Sequence, residues 1–203
     1  MIPRMNQHLL IFGSVMIMAW ALGTFLLVYF WPHLVNNMYK RAILNQGFGD
    51  GPTPINTLYT ETQALFAEPL TAQSASSSNL MTVGVNHDTL PTVGWLDLSK
   101  GPQILHVPDF SGRYYSVQFT DPFDVDFAYV GTRTTGTQAG DYLITGPNWK
   151  GQVPSSMTQI SSPNNSVLVL GRVLVYSDSD LSTAYDLSKQ IQLTPLIPNP
   201  VEP

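Results

Sequence analysis

Residues 167–175 read Val-Leu-Val-Leu-Gly-Arg-Val-Leu-Val, a run in which Arg172 is the one polar side chain. A strand with one wet face alternates apolar and polar residues, whereas this run does not, so it reads as a central strand covered on both faces. Upstream, from Leu80 onward, short apolar runs are separated by turn residues at the spacing of sandwiches and barrels. Candidate strands fall at 80–86, 91–97, 102–107, 113–120, 125–131, 141–145, 157–161 and 167–176. Alternation is clearest where Tyr115, Val117 and Phe119 face one way and Tyr114, Ser116, Gln118 and Thr120 the other. Downstream, Ser177 and Asp180 carry a capping-box pattern, and Leu181, Ala184, Tyr185, Ser188 and Ile191 follow at helical spacing, which predicts a closing helix. The tail from Pro195, PLIPNPVEP, has proline too often for regular structure. The expected fold is mainly β.

The other end of the chain is of a different kind. Leu9 to Trp31, LLIFGSVMIMAWALGTFLLVYFW, contains no charged residue. As a helix it would rise about 34 Å, enough to cross a hydrocarbon core of about 30 Å. The run exceeds the core of a signal peptide, no small-x-small cleavage pattern follows it, and Tyr29, Phe30 and Trp31 suit a water–lipid boundary. A retained transmembrane helix over 9–31 is therefore expected, in contact with membrane lipid. Gly13, Ser14, Gly23 and Thr24 are small residues that would let another membrane helix approach closely. Arg4 on one side is balanced by Lys40 and Arg41 on the other, so charge alone does not orient the span.

Between anchor and domain, residues 32–54 read as a juxtamembrane helix followed by a linker. Leu34, Val35, Met38, Tyr39, Ala42 and Ile43 form an apolar stripe, either as a separate interfacial helix or as a continuation of the anchor. Gln46 to Pro54 is rich in Gly and Pro and marks the boundary. Ile55 to Pro69 is expected to form a short helix, and Thr71 to Asn79 a flexible polar stretch. The domain limits on this reading are 55–196, with 1–8 and 197–203 as tails.

Composition excludes several classes of function. Charged residues are 11% of the chain, and Gly and Pro together number 31, which favours turns and strands over long surface helices. From Ala42 onward six bases stand against fourteen acids, a balance of −8, so the domain repels phosphate backbones and no nucleic-acid partner is expected. Cysteine is absent, which removes disulfides and thiolate chemistry. The four histidines are too scattered for metal-ligand spacing, and no cofactor motif is present.

Candidate polar sites remain. Asn86 and Asp88 at the end of a predicted strand suit an Asx-type turn, and His87 lies between them without the pattern of a catalytic triad. Arg113 and Arg172 sit among apolar residues and each needs a carboxylate or several carbonyls, with Asp88, Asp97 and Asp109 as candidates. Arg113 with Tyr114 and Gln118 would also form an anion pocket. Asp121, Asp124 and Asp126 lack the glycine and terminal glutamate of a calcium loop and suit turn capping instead. Gly131, Gly136 and Gly140 punctuate a hairpin.

An ordered set of short elements adds a resemblance. Asn86-His-Asp-Thr-Leu90, Trp95-Leu-Asp-Leu98, Gly101-Pro102, His106-Val-Pro-Asp109, Gly112-Arg-Tyr-Tyr115, Gly136-Thr137, Gly146-Pro147, Trp149-Lys-Gly151 and Leu170-Gly-Arg172 together resemble the domain of unknown function 1254 across residues 55 to 196. One departure is Pro91, where the family often has tyrosine. The resemblance implies a jelly-roll-like β-sandwich, exported from the bacterial cytoplasm and commonly joined to a second domain of unknown function, number 1214. In short anchored members that second domain is often a separate membrane protein, which implies pairing in trans. Related chains in large DNA viruses make a virion membrane the minor alternative. The expectation is a single-pass accessory or structural subunit, N-terminus cytoplasmic and β-domain periplasmic, in contact with other membrane subunits. The alternative is a periplasmic hydrolase or small-molecule-binding module with its pocket near Arg113, Tyr114 and Gln118.

Overall fold

The computed structural model describes residues 7–46, 52–60 and 88–196. Helix α1 is one continuous rod, Gln7–Gln46, with Pro32 inside it. Proline removes one backbone donor, yet the helix continues through it. Its 40 residues span roughly 60 Å. Its most apolar window is 0% buried against the rest of the chain.

The domain follows as β1 (Leu58–Thr60), β2 (Thr89–Asp97), β3 (Gln103–Val107), β4 (Tyr115–Thr120), β5 (Asp126–Gly131), β6 (Gly140–Thr145), β7 (Thr158–Ser161), β8 (Ser166–Leu174), α2 (Leu181–Lys189) and β9 (Gln192–Pro195). They form a five-stranded sheet ordered β1-β2-β8-β4-β5 and a four-stranded sheet ordered β7-β6-β3-β9. Among the described residues every pairing is antiparallel except β6 with β7. The inward faces of both sheets share one core. Leu90, Leu96, Val117, Phe119, Val167, Val169 and Val173 come from the first sheet, and Leu105, Val107, Tyr142 and Ile144 from the second. Helix α2 closes one side through buried Ala184 and Ser188, whose hydroxyl lies 2.8 Å from that of Thr92.

The run at 167–175 is the middle strand, paired with β2 on one side and β4 on the other. Its even-numbered side chains point outward, where Leu168 and Leu170 pack against Val93, Trp95 and Ile43. Ile43 belongs to α1, so the last turns of that helix cover part of the outer face. Lys40 reaches Ser166 Oγ at 3.1 Å and lies 5.6 Å from the Trp95 ring centroid. Trp95 Nε1 donates to the same Ser166 hydroxyl at 2.7 Å. The Ile43 carbonyl, one of the groups a helix end leaves unpaired, accepts from Thr53 N–H.

Several expectations are corrected. Of the predicted helix over 55–69, the described part is a turn and then strand β1, because Leu58, Tyr59 and Thr60 pair along β2. Gly94 makes that approach possible: a Cβ there would run into the Thr57 carbonyl oxygen. The juxtamembrane stripe is rotated. Asn36, Lys40 and Ile43 face the sheet, whereas Leu34 and Met38 are 55% and 63% exposed, so the face that docks mixes polar and apolar residues. The closing helix stops at Lys189, and β9 follows it on the edge of the second sheet, where a terminal proline is tolerated. The predicted strand 80–86, the stretch 71–79 and the tails 1–6 and 197–203 lie outside the described residues.

Asp180 does not serve in a capping box, since the Ser177 side chain makes no cap hydrogen bond. It holds Arg113 by a two-pronged ion pair, Nη1 to Oδ2 at 2.5 Å and Nη2 to Oδ1 at 2.7 Å. Arg113 also donates to the Leu174 carbonyl at 2.7 Å, and its guanidinium lies 4.7 Å from the Tyr176 ring centroid. The arginine thus ties the start of β4, the end of β8 and the entry to α2. The hydrogen bond from Arg113 is the main force lowering the Asp180 carboxyl to a pKa of about 2. A depressed carboxylate adds stability above its unfolded value near 3.8 and loses it as pH falls through the folded value. Unfolding of the full chain in detergent should therefore ease progressively as pH drops from about 4 towards 2, and Asp180→Asn should remove that part of the pH profile. The same substitution strands a largely buried guanidinium and should cost about 3 kcal/mol at neutral pH, read by circular dichroism. Ile43→Asp sets a charge against Val93 and Trp95. Hydrogen exchange should then accelerate at the end of α1 and in β8 while β3 and β6 of the second sheet stay protected.

Candidate functional site

The outer face of the five-stranded sheet is divided in two. Over β2 and the first part of β8 it is covered by the end of α1, and over β4, β5 and the far end of β8 it is open. Register sets Arg172 of β8 opposite Ser116 of β4, and Ser116 opposite Gly131 of β5. Gly131 has to lack a side chain, because a Cβ would stand 2.6 Å from the Tyr115 carbonyl oxygen and 2.8 Å from Ser116 Cα. Here lies a groove of about 440 Å³ lined by Tyr114, Ser116, Gln118, Tyr129, Arg133 and Arg172 among others.

Arg133 enters from the β5–β6 loop, its guanidinium 5.7 Å from the Tyr114 ring centroid. Arg133 and Arg172 are both exposed and have no carboxylate partner among the described residues. The opposite end of the groove is internally satisfied. Asp126 accepts from Tyr129 OH at 2.6 Å and from Gln118 Nε2 and Thr120 Oγ1, each at 2.7 Å. Partial burial works against the charge on Asp126, but those three hydrogen bonds outweigh it and the carboxyl titrates below its ordinary range. The hydrogen bond to Asp126 raises Tyr129 in turn. The groups left to meet a visitor are therefore two guanidiniums, the Tyr114 ring and the Ser116 hydroxyl. Planar guanidinium on an aromatic ring is suited to carboxylates and other flat anions.

The residues singled out in the sequence are only partly brought together. Tyr114, Gln118 and Arg172 line the groove, but Gln118 spends both amide hydrogens on Asp126 and Thr120. Arg113 is turned away to Asp180, and none of Asp88, Asp97 or Asp109 partners it. Arg172 is exposed and has no carboxylate partner among the described residues, where a carboxylate or several carbonyls are expected. Asp88 is exposed, and its carbonyl accepts from Val175 N–H at 2.7 Å. Asn86 and His87 lie outside the described residues. Asp121 caps its turn by accepting from the amides of Phe123 and Val125. On α1, Gly13 and Thr24 share a face, whereas Ser14 and Gly23 lie on opposite sides at 3.6 residues per turn. Ser14 donates to the Leu10 carbonyl.

Arg133 and Tyr129 join the groove without a signal of their own in the sequence, and Gly131, Gly136 and Gly140, expected to punctuate a hairpin, instead mark the crossing from β5 to β6, which lie in different sheets and do not pair. A second polar pair, His106 Nδ1 and Asp141 Oδ1 at 2.7 Å, lies exposed on the second sheet. Among the described residues no three His, Asp or Glu side chains gather as metal ligands would.

The fold is similar to the crystal structure of the VPA0106 protein from Vibrio parahaemolyticus, with a TM-score of 0.59 and 25% identity over 86% of this chain and 40% of that one. This chain therefore spans 40% of that protein's length. An uncharacterized protein from Burkholderia cenocepacia matches at a TM-score of 0.39 and 13% identity, over 59% of this chain and 31% of that one. No curated protein matches the chain. The family model described as "Protein of unknown function (DUF1254)" matches residues 67–195, more than half of the sequence, and the chain belongs to that family.

Proposed function

We propose that the chain is a single-pass membrane subunit whose sandwich, periplasmic with the N-terminus of α1 in the cytoplasm, docks on another membrane protein through the groove of Arg133 and Arg172. The observation that carries this reading is the pair of guanidinium groups, without a carboxylate among the described residues, set beside Tyr114 on a sheet whose other half is clamped to the helix. The long exposed apolar helix supports the membrane tether. The pairing of sequence-distant β2 with β8 and β3 with β9 supports a jelly-roll description of the sandwich. A protein carrying the companion domain is the first partner to test.

A second reading is favoured by the same residues: an anionic small molecule held by Arg133, Arg172 and Ser116. The groove's polar lining is arginine, tyrosine, serine, threonine and glutamine, a set that supports binding over bond cleavage, and so ranks the hydrolase alternative below both. Purification from mild detergent with mass spectrometry separates these readings. A stoichiometric membrane subunit should co-purify with the native chain, and Arg133→Glu with Arg172→Glu should release it. Each lost charge-assisted contact should weaken association about tenfold. The melting temperature should hardly move, because neither arginine has an ion-pair partner among the described residues. A native chain that runs alone overturns the subunit reading, and saturable binding of small carboxylates by that lone chain would support the second.

A further inference from the structure

The turn joining β4 to β5 exposes apolar side chains that the sandwich does not need. Phe123 is 41% exposed and Val125 56% exposed, at the tip of Asp121-Pro122-Phe123-Asp124-Val125. This exposure is built in. Asp121 Oδ1 accepts from Phe123 N–H at 2.8 Å and Val125 N–H at 3.1 Å, and Asp121 N–H donates to the Val125 carbonyl at 2.9 Å. Asn164 holds the other carboxylate oxygen at 3.3 Å, and Asp124 sits in the left-handed region at φ 64°. The turn is stiff.

Its position gives the exposed rings a use. The Phe123 ring lies edge-on to His33 of α1, with centroids 4.1 Å apart. Tyr29 and Phe30 precede His33 by four and three residues, so they lie on the same helix face about one turn, roughly 5 Å, nearer the N-terminus. They pair edge-to-face at 5.0 Å and are 53% and 55% exposed. Phe123 therefore continues an aromatic boundary that begins on the helix itself, with exposed Val125 two residues further along the turn.

We infer that the β4–β5 turn is a second membrane contact: Phe123 and Val125 enter the headgroup layer of a zwitterionic bilayer beside Tyr29 and Phe30, and seat the sandwich on the lipid surface. This rests on α1 spanning the bilayer. Exposed Asp124 limits the depth to the headgroup layer, since a carboxylate resists hydrocarbon and anionic lipid alike. Two attachments, the helix and the tip, fix the tilt of the domain as one alone would not. The groove lies towards the other end of β4 and β5, so the seated domain holds it on the order of 20 Å above the interface, six or seven residues of strand away.

The absence of cysteine allows single-site labelling of the full chain. Phe123→Cys and, separately, Val125→Cys would carry an environment-sensitive fluorophore in phosphatidylcholine vesicles, with Gln138→Cys in the β5–β6 loop and Ala21→Cys in α1 as references. The tip labels should shift to the blue and be quenched by lipids bearing a nitroxide near the headgroup, the Gln138 label should remain in water, and the Ala21 label should be quenched by nitroxides deep in the chains. A quenched Ala21 label with both tip labels in water would overturn the second contact alone, and would leave the exposed rings to a protein partner. An unquenched Ala21 label would overturn the membrane span itself. Either tip position suffices should the other variant fail to fold.

Discussion

Strand β8 depends on being covered twice. One face lies in the core between the sheets, and the outward Leu168 and Leu170 would stand in water but for Trp95 and the end of α1. Ile43 is fully buried and the two leucines partly, and full burial of such a side chain is worth roughly 2 kcal/mol. The helix is therefore not a leash with a free domain at its end. Its last turns are part of the domain's own packing, and Lys40, Trp95 and Ser166 fix its register by a hydrogen-bonded chain.

That coupling has a geometric consequence. A helix running on through Pro32 and clamped from His33 to Ile43 transmits its direction to the sheet, so whatever orients α1 orients β4, β5 and the groove with it. On the proposed reading the bilayer does this, and the partner meets a surface presented at a set height and angle. Preorganisation of this kind lowers the entropic cost of docking, because the domain has little orientational freedom left to lose.

Much of this is legible in the residues. Seven of the eight predicted strands lie within one or two residues of observed ones, because apolar runs bounded by Gly, Pro and Asp state both period and length. The eighth falls outside the described residues. Strand β1 escapes a sequence reading because three residues are too few to show a period, and β9 because Pro195 argues against a strand that in fact ends there on an edge. The site is harder to read. Arg113 is taken from Tyr114 by Asp180, 67 residues away in the chain, and Arg133 lies over the Tyr114 ring instead. Composition shows that arginines need partners, but only the fold decides which one is satisfied.

The charge pattern bears on what the groove can meet. With a balance of −8 from Ala42 onward, the domain repels a strongly acidic protein at long range, while its two groove arginines attract carboxylates at contact. At physiological ionic strength the repulsion fades over about 8 Å, so it weakens the approach of a partner more than the finished contact. An acidic partner in solution would be disfavoured by this balance, since its encounter rate falls with like charge. A partner confined to the same membrane is less affected, because confinement supplies an effective concentration that compensates for a slow encounter. On the proposed reading, an acidic domain with a small cationic groove is thus better matched to an acidic neighbour in the bilayer than to an acidic soluble visitor, and the preference would come from the tether as much as from the arginines.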